Sequence, residues 1–296
     1  MKITVLTLFP EFFDSFRSTS IIKRALEQQL VEFETVDFRA FTLDRHNHVD
    51  DTPCGGGQGM VLSCQPIVDC LQSVRTEESF VIMMTPQGNR FDQRLAHRFA
   101  SEIKHLIILC GHYEGFDERI RSFVDMEVSL GDFVLTGGEG AALVISDAVI
   151  RLLDHVIKEE SHSDDSFENG LLEYPQYTRP IEYEGMRVPD VLLSGHHANI
   201  RKWRLKESLK KTMEKRPDLL KNREFTKEER KLLDEIMKYM PSEIICNDAF
   251  LVSGVDFEDL KERLGIAIYS LEPHYFDDDL CRKCLLKHFG VNSLSG

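Results

Sequence analysis

Two short apolar runs constrain the fold of this chain most. Phe80–Met84 and His105–Cys110 are near-continuous in apolar residues, and each runs directly into a glycine-bearing turn. The turns are Thr85-Pro86-Gln87-Gly88 and Gly111-His112-Tyr113-Glu114-Gly115. Runs this short and this uniform suit strands covered on both faces, as in a parallel sheet between helical layers. The flanking pattern agrees. Lys2–Leu8 and Phe33–Phe38 read as further strands. The stretch opened by Pro10, then Gln65–Val74, Phe91–Ile103 and Ala141–Val156, repeat apolar residues at helical spacing. Strand and helix alternate, so residues 1–160 are predicted to form an α/β domain with a mainly parallel sheet.

The pattern changes after that. Residues 159–170 are polar and acidic, and 161–170 are predicted to be a flexible linker or lid. Residues 171–240 read as a small helical domain, with helices from about 199 and over Lys227–Tyr239, the second capped by Thr226. Pro241 breaks the chain, and 241–296 form an acidic extension with short helices expected near 256–264 and 279–289.

Composition excludes several classes. With 296 residues, 42% of them hydrophobic, the chain has enough apolar material for a large core and is not disordered. No apolar run reaches the roughly 18 residues of a membrane span. The start, MKITVLTLFPEFF, lacks the basic and long apolar regions of a signal peptide, so a cytoplasmic protein is expected. Seven scattered cysteines fit free thiols in a reducing compartment. Cys281-x-x-Cys284, even with Cys246, His274 and His288, matches no zinc spacing, and no metal-ligating set is assigned.

The net charge of −14 is unevenly spread. Residues 201–231 hold 13 Lys/Arg against 6 Asp/Glu, a basic island on an acidic protein. Phosphate binding follows local clustering more than the total.

Four glycine loops stand out: 54–60, 85–88, 110–115 and 131–139. In open α/β sheets, ligands sit beyond the carboxyl ends of the strands, where two of these loops begin. Any one of them alone reads more readily as a tight turn, and it is the four together that point to a ligand. None matches the G-x-G-x-x-G or G-x-x-x-x-G-K-[ST] patterns, which weighs against a nicotinamide-dependent oxidoreductase or a triphosphate site. Without loop lysines, an uncharged or cationic ligand suits them better.

The segments LFPEFF, VDDTPCGGGQGM, PQG, CGHYEGFDER, LGDFVLTGGE, SDAVIR, DSFENGLLEYPQYTRP and LLSGHHANIRKWR occur in this order. Through them the chain, from residue 1 to about 240, resembles the bacterial tRNA (guanine-N1)-methyltransferase family, the knotted type of the SPOUT superfamily. The resemblance implies a trefoil-knotted α/β domain, a homodimer with a composite active site, and S-adenosylmethionine as cofactor. It implies methylation at N1 of the guanosine immediately 3′ of the tRNA anticodon. Carried over residue by residue, it assigns the cofactor to Pro86 and Gly88, to Gly111, Tyr113, Glu114 and Gly115, and to Leu130, Gly131, Asp132, Phe133, Val134, Leu135, Gly137 and Gly138. It implies Asp165 as general base and Arg151 as catalytic arginine. Glu114 is a further catalytic candidate, positioning the base or a magnesium ion. Ser194, His196, Arg201, Lys202, Trp203 and Arg204 fall in the implied tRNA-contacting segment. Four departures stand in the cofactor loops and beside them. His112 replaces the usual arginine, Phe133 a tyrosine and Gln58 a common proline, and GGEGAA replaces GGELPA.

The same residues have plainer readings. By surroundings alone, Asp165 is a solvated linker carboxylate and Arg151 a helix C-terminal cation. Trp203 either stacks on an unpaired base or anchors the small domain's core. A non-catalytic RNA-binding protein that keeps the fold is the alternative to an enzyme.

Overall fold

A computed structural model describes residues 1–157, 164–237, 243–246 and 267–270. The chain divides into two units, 1–162 and 163–296.

The first unit is built on strand β1 (Lys2–Thr7), helices α1 (Asp14–Ser18) and α2 (Ser20–Glu27), and β2 (Glu32–Asp37). Two-residue strands β3 (Asp50–Asp51) and β4 (Val61–Leu62) lead to α3 (Cys64–Val74), β5 (Ser79–Arg90), α4 (Gln93–Glu102), β6 (His105–Leu109), β7 (Met126–Ser129) and α5 (Glu139–Ile150). Five strands form one parallel sheet in the order β2-β1-β6-β5-β7. Alternate residues feed two cores. Ile82, Leu106 and Ile108 pack with Phe16, Ile22, Phe99 and Ile145 on one face. Val81, Ile107 and Leu109 pack with Phe38, Ile67 and Leu71 on the other. Helices thus cover both faces, which is why these strands lack a polar side.

Three boundaries differ from the sequence pattern. The helical stretch after Pro10 is broken into a 3₁₀ turn, α1 and α2, because Thr19 is extended and Ser20 takes φ 49°. The hydroxyls of Ser18 and Thr19 donate to the carbonyls of Asp14 and Ser15, competing with helix continuation. The expected Ala141–Val156 helix starts at Glu139, after Gly138, and stops at Ile150. Leu152 and Leu153 then donate to carbonyls three residues back, and His155 has φ 68°. The turn at 85–88 is a bulge: Met84 and Asn89 both align with Val128, and β5 continues to Arg90.

The second unit contains β8 (Glu182–Tyr183), β9 (Met186–Arg187), α6 (Asp190–Leu193), α7 (His197–Lys215) and α8 (Lys227–Met237). Leu171, Leu209, Leu232 and Ile236 form its core. Thr226 caps α8 reciprocally with Glu229: Glu229 N–H donates to Thr226 Oγ1 at 3.1 Å, and Thr226 N–H to Glu229 Oε2 at 2.7 Å. The described part of the predicted lid, 164–170, forms turns. Phe167 N–H donates to Leu171 O, Glu173 N–H to Ser166 Oγ, and Arg223 to Asn169 O. Strands β10 (Glu243–Cys246) and β11 (Ala267–Ser270) pair in parallel. The helices expected at 256–264 and 279–289 lie outside the described residues. Among the described residues no helix is long and apolar enough to cross a membrane.

Candidate active site

The segments following β6 and β7, with the bulge of β5, converge on one cavity of about 530 Å³. Its lining includes Pro86, Gly111, Tyr113, Glu114, Gly115, Leu130, Gly131, Phe133, Val134, Leu135, Gly137 and Gly138, twelve of the residues predicted to hold a cofactor. Gly88 and Asp132 are not in the lining. Gly88 instead lies against β7: a Cβ there would come 2.5 Å from the Glu127 carbonyl carbon, so β5 and β7 approach this closely only with glycine.

Backbone bonds fix the loops to one another. Cys110 N–H donates to Leu6 O, Gly138 N–H to Gly111 O, and His112 bridges Gly137. Tyr113 has φ 60°, unusual for a residue with a Cβ, and its ring is exposed. Strain of this kind costs about 1–3 kcal/mol and collects at functional sites. Phe133, Val134 and Leu135 are also exposed, giving the cavity an apolar rim.

The charged lining comprises Glu114, Glu118, His112 and Arg121, and no lysine. Arg121 is already engaged. Its Nε donates to Glu118 Oε2 and its Nη2 to Gln87 Oε1, both at 2.8 Å, and it pairs with Glu127. The cationic side chain of the lining is therefore already paired, and the lining holds no lysine. Among the described residues no group of three His, Cys, Asp or Glu side chains is arranged to hold a metal ion. Of the two roles considered for Glu114, positioning the base or a magnesium ion, the second finds no support from a protein-built metal site among them.

Beside the cavity lies a buried carboxylate that sequence reasoning did not single out. Glu139, the first residue of α5, accepts from Thr7 Oγ1 at 2.6 Å and lies 2.7 Å from His112 Nε2. Thr7 Oγ1 accepts from Phe9 N–H, and the Phe9 ring meets His112 edge-on at 4.8 Å. A carboxylate is well placed at a helix N-terminus. The available signal was a lone acidic residue directly after two glycines at a helix start. Burial, with Glu139 nearby, pushes the Cys110 thiol well above its usual range, so it is not a poised nucleophile.

The other predicted residues are described within their own units. Arg151 is the C-cap of α5, its N–H donating to Asp147 O. Asp165 belongs to the second unit, where its carbonyl accepts from Glu168 N–H. Ser194 ends α6, and its Oγ accepts from His196 N–H, the N-cap of α7. Arg201 lies 3.9 Å from Glu228 and Lys202 3.6 Å from Glu235, so α8 partly neutralises the basic island. The Arg204 guanidinium sits 4.7 Å from the Tyr174 ring centroid. Trp203 is half-buried, 6.3 Å from Tyr177 between centroids, and stands outside the core of its unit.

Comparison with known proteins identifies the lineage. A sequence model described as tRNA (Guanine-1)-methyltransferase TrmD matches residues 1–222. The chain belongs to this family. It is a methyltransferase. A tRNA (guanine-N(1)-)-methyltransferase of Aster yellows witches'-broom phytoplasma is 56% identical over 236 residues, which cover 80% of this chain and 98% of that protein. One from Acholeplasma laidlawii is 50% identical over 243 residues, covering 82% of this chain and all of that protein. One from Streptococcus agalactiae is 56% identical over 237 residues, covering 80% and 94%.

Residues of the cavity fit the methyl donor that the family implies. The volume lies in the range of about 300–1,000 Å³ typical of small-molecule sites. A sulfonium ligand suits a lining with Glu114, a paired arginine and no lysine, and the exposed Phe133, Val134 and Leu135 suit an adenine ring.

Proposed function

We propose that the protein methylates N1 of the guanosine immediately 3′ of the tRNA anticodon, using S-adenosylmethionine. The observation that supports this most is the convergence of three glycine-bearing segments on one lysine-free cavity in a chain of this family. In this reading the segments belong to a trefoil knot, and the protein works in the cytoplasm as a homodimer.

When bound, the cofactor supplies an electrophilic methyl group on a sulfonium. The protein's part is orientation and proton transfer. Backbone groups of 86–87, 111–115, 130–131 and 133–138 hold the ligand, and the rim formed by Phe133 to Leu135 excludes water. Guanine N1 carries a proton at neutral pH, so a base must accept it. Asp165 takes this role. Arg151 stabilises the negative charge that spreads onto guanine O6 as N1 loses its proton. Glu114, at the cavity, positions the target base. The guanosine leaves its stack to be reached. Asp165 and the basic helix α7 serve the cavity of the partner subunit, which makes the site composite.

The test is methyl transfer from labelled S-adenosylmethionine to unmodified tRNA, with the modified nucleotide mapped. Wild type is expected to label N1 of that guanosine, and Asp165→Ala to lower turnover about 10²–10⁴-fold. Label on another nucleotide would overturn the target. Full activity in Asp165→Ala would move the base elsewhere. Mixed dimers of Asp165→Ala with a cofactor-loop variant should regain activity, and their failure to do so would remove the composite site.

A further inference from the structure

The glycine loop at 54–59 belongs to none of the segments lining the cavity, yet it touches one of them. Gly59 has φ 82°, and a Cβ there would overlap the Glu114 side chain, 2.5 Å from its Cγ and 2.7 Å from its Cδ. The backbone on either side is paired. Glu114 N–H donates to Met60 O at 3.0 Å, Leu62 N–H to Gly115 O at 2.9 Å, and Asp117 N–H to Leu62 O at 2.9 Å. Residues 60–62 therefore run alongside 114–117 as a fixed rail. Within that rail the Glu114 carboxylate occupies the space that a side chain at 59 would fill.

From this packing we propose that Gly59 is a positioning residue for Glu114. The missing side chain sets the direction in which the carboxylate enters the cavity, so Gly59 contributes to catalysis through Glu114. The inference rests on the reading that Glu114 works at this site. Displacing a positioned group by about 1 Å lowers turnover by up to about 100-fold, the scale expected here.

Neighbouring glycines supply the control. Gly56 has nearly the same φ, 83°, but a Cβ there meets nothing within 4 Å. Gly56→Ala therefore carries the backbone strain of Gly59→Ala without the collision. The experiment measures kcat, KM for tRNA and the thermal midpoint of G59A, G56A, E114A and the double variant G59A/E114A. Gly59→Ala is expected to lower kcat about 100-fold with KM little changed, and Gly56→Ala to do much less. In the Glu114→Ala background, Gly59→Ala should change kcat by no more than about twofold, because its only target is gone. If G59A fails to fold, a folded double variant supports the proposal, and an unfolded one overturns it. Equal losses in G59A and G56A, or a loss in G59A that multiplies with that of E114A, overturn the positioning role and leave Glu114's role intact. Undiminished activity in E114A removes both.

Discussion

His112 Nε2 lies 2.7 Å from Glu139 Oε2, and this contact ties the loop after β6 to the first turn of α5. Thr7 Oγ1, at the end of β1, holds the other carboxylate oxygen at 2.6 Å. Three segments of the cavity wall and its support thus meet at one carboxylate that is 3% exposed. Glu139→Ala leaves the Thr7 hydroxyl and the His112 ring without their acceptor and opens a void. A loss of about 3 kcal/mol is expected, as for leaving buried hydrogen-bonding groups without a partner, or a fall of about 10 °C in the melting temperature. Glu139→Gln keeps a carbonyl acceptor and should lose about a third as much. Calorimetry of the three proteins decides it, and an unmoved transition in Glu139→Ala would show that the contact braces nothing.

The second unit should weaken in acid through Glu229. Burial works to raise the pKa of this carboxyl, but bonds from Arg223 and from the Thr226 N–H outweigh it, and the net shift is downward from 4.5. A carboxylate depressed on folding contributes stability above its unfolded pKa and loses it as pH falls through the folded value. The contribution is therefore full above about pH 4.5 and declines below it. Glu229→Gln keeps the side-chain shape but not the charge. It is expected to be about 1–2 kcal/mol less stable than wild type at pH 7, with the gap narrowing as pH falls below 4.5. Melting curves from pH 7 to 3 test this, and a constant gap would contradict it.

The sheet was legible because its strands are covered on both faces: Phe80–Met84 and His105–Cys110 could hardly be anything else. The loops that line the cavity were legible as glycine clusters at strand ends. What local pattern hides is long-range contact. Nothing near Glu139 in sequence announces Thr7, 132 residues away, or His112, 27 away. Nor does the pattern reveal that Gly88 serves strand packing, or that Glu228 and Glu235 partly offset the basic island. The Ala141–Val156 boundary failed because apolar residues continue past Ile150 into turns, and burial without periodicity does not mark a helix end.

Trp203 separates an RNA-binding role from a structural one. It lies half-buried beside Tyr177, with the Leu171, Leu209, Leu232 and Ile236 core built without it. Trp203→Ala should therefore cost under about 1 kcal/mol of stability. If the ring stacks on an unpaired base, tRNA affinity should fall about tenfold at constant salt. Filter binding together with a melting curve reads both. A large loss of stability with unchanged affinity would return Trp203 to a packing role.

Residues beyond 240 should be dispensable for catalysis. The family match ends at 222, and relatives aligned over nearly their whole length cover only about 80% of this chain. Among the described residues the second unit's core runs from Leu171 to Ile236, and the Thr226–Glu229 cap that starts α8 lies upstream of residue 240. Strands β10 and β11 pair with each other in parallel, so the extension brings its own pairing. A chain ending at residue 240 is expected to fold and to keep kcat/KM within about twofold of the full protein, the margin for changes at independent sites. Steady-state methyl transfer by the shortened protein checks this, and an insoluble or inactive product would make the extension integral to the enzyme.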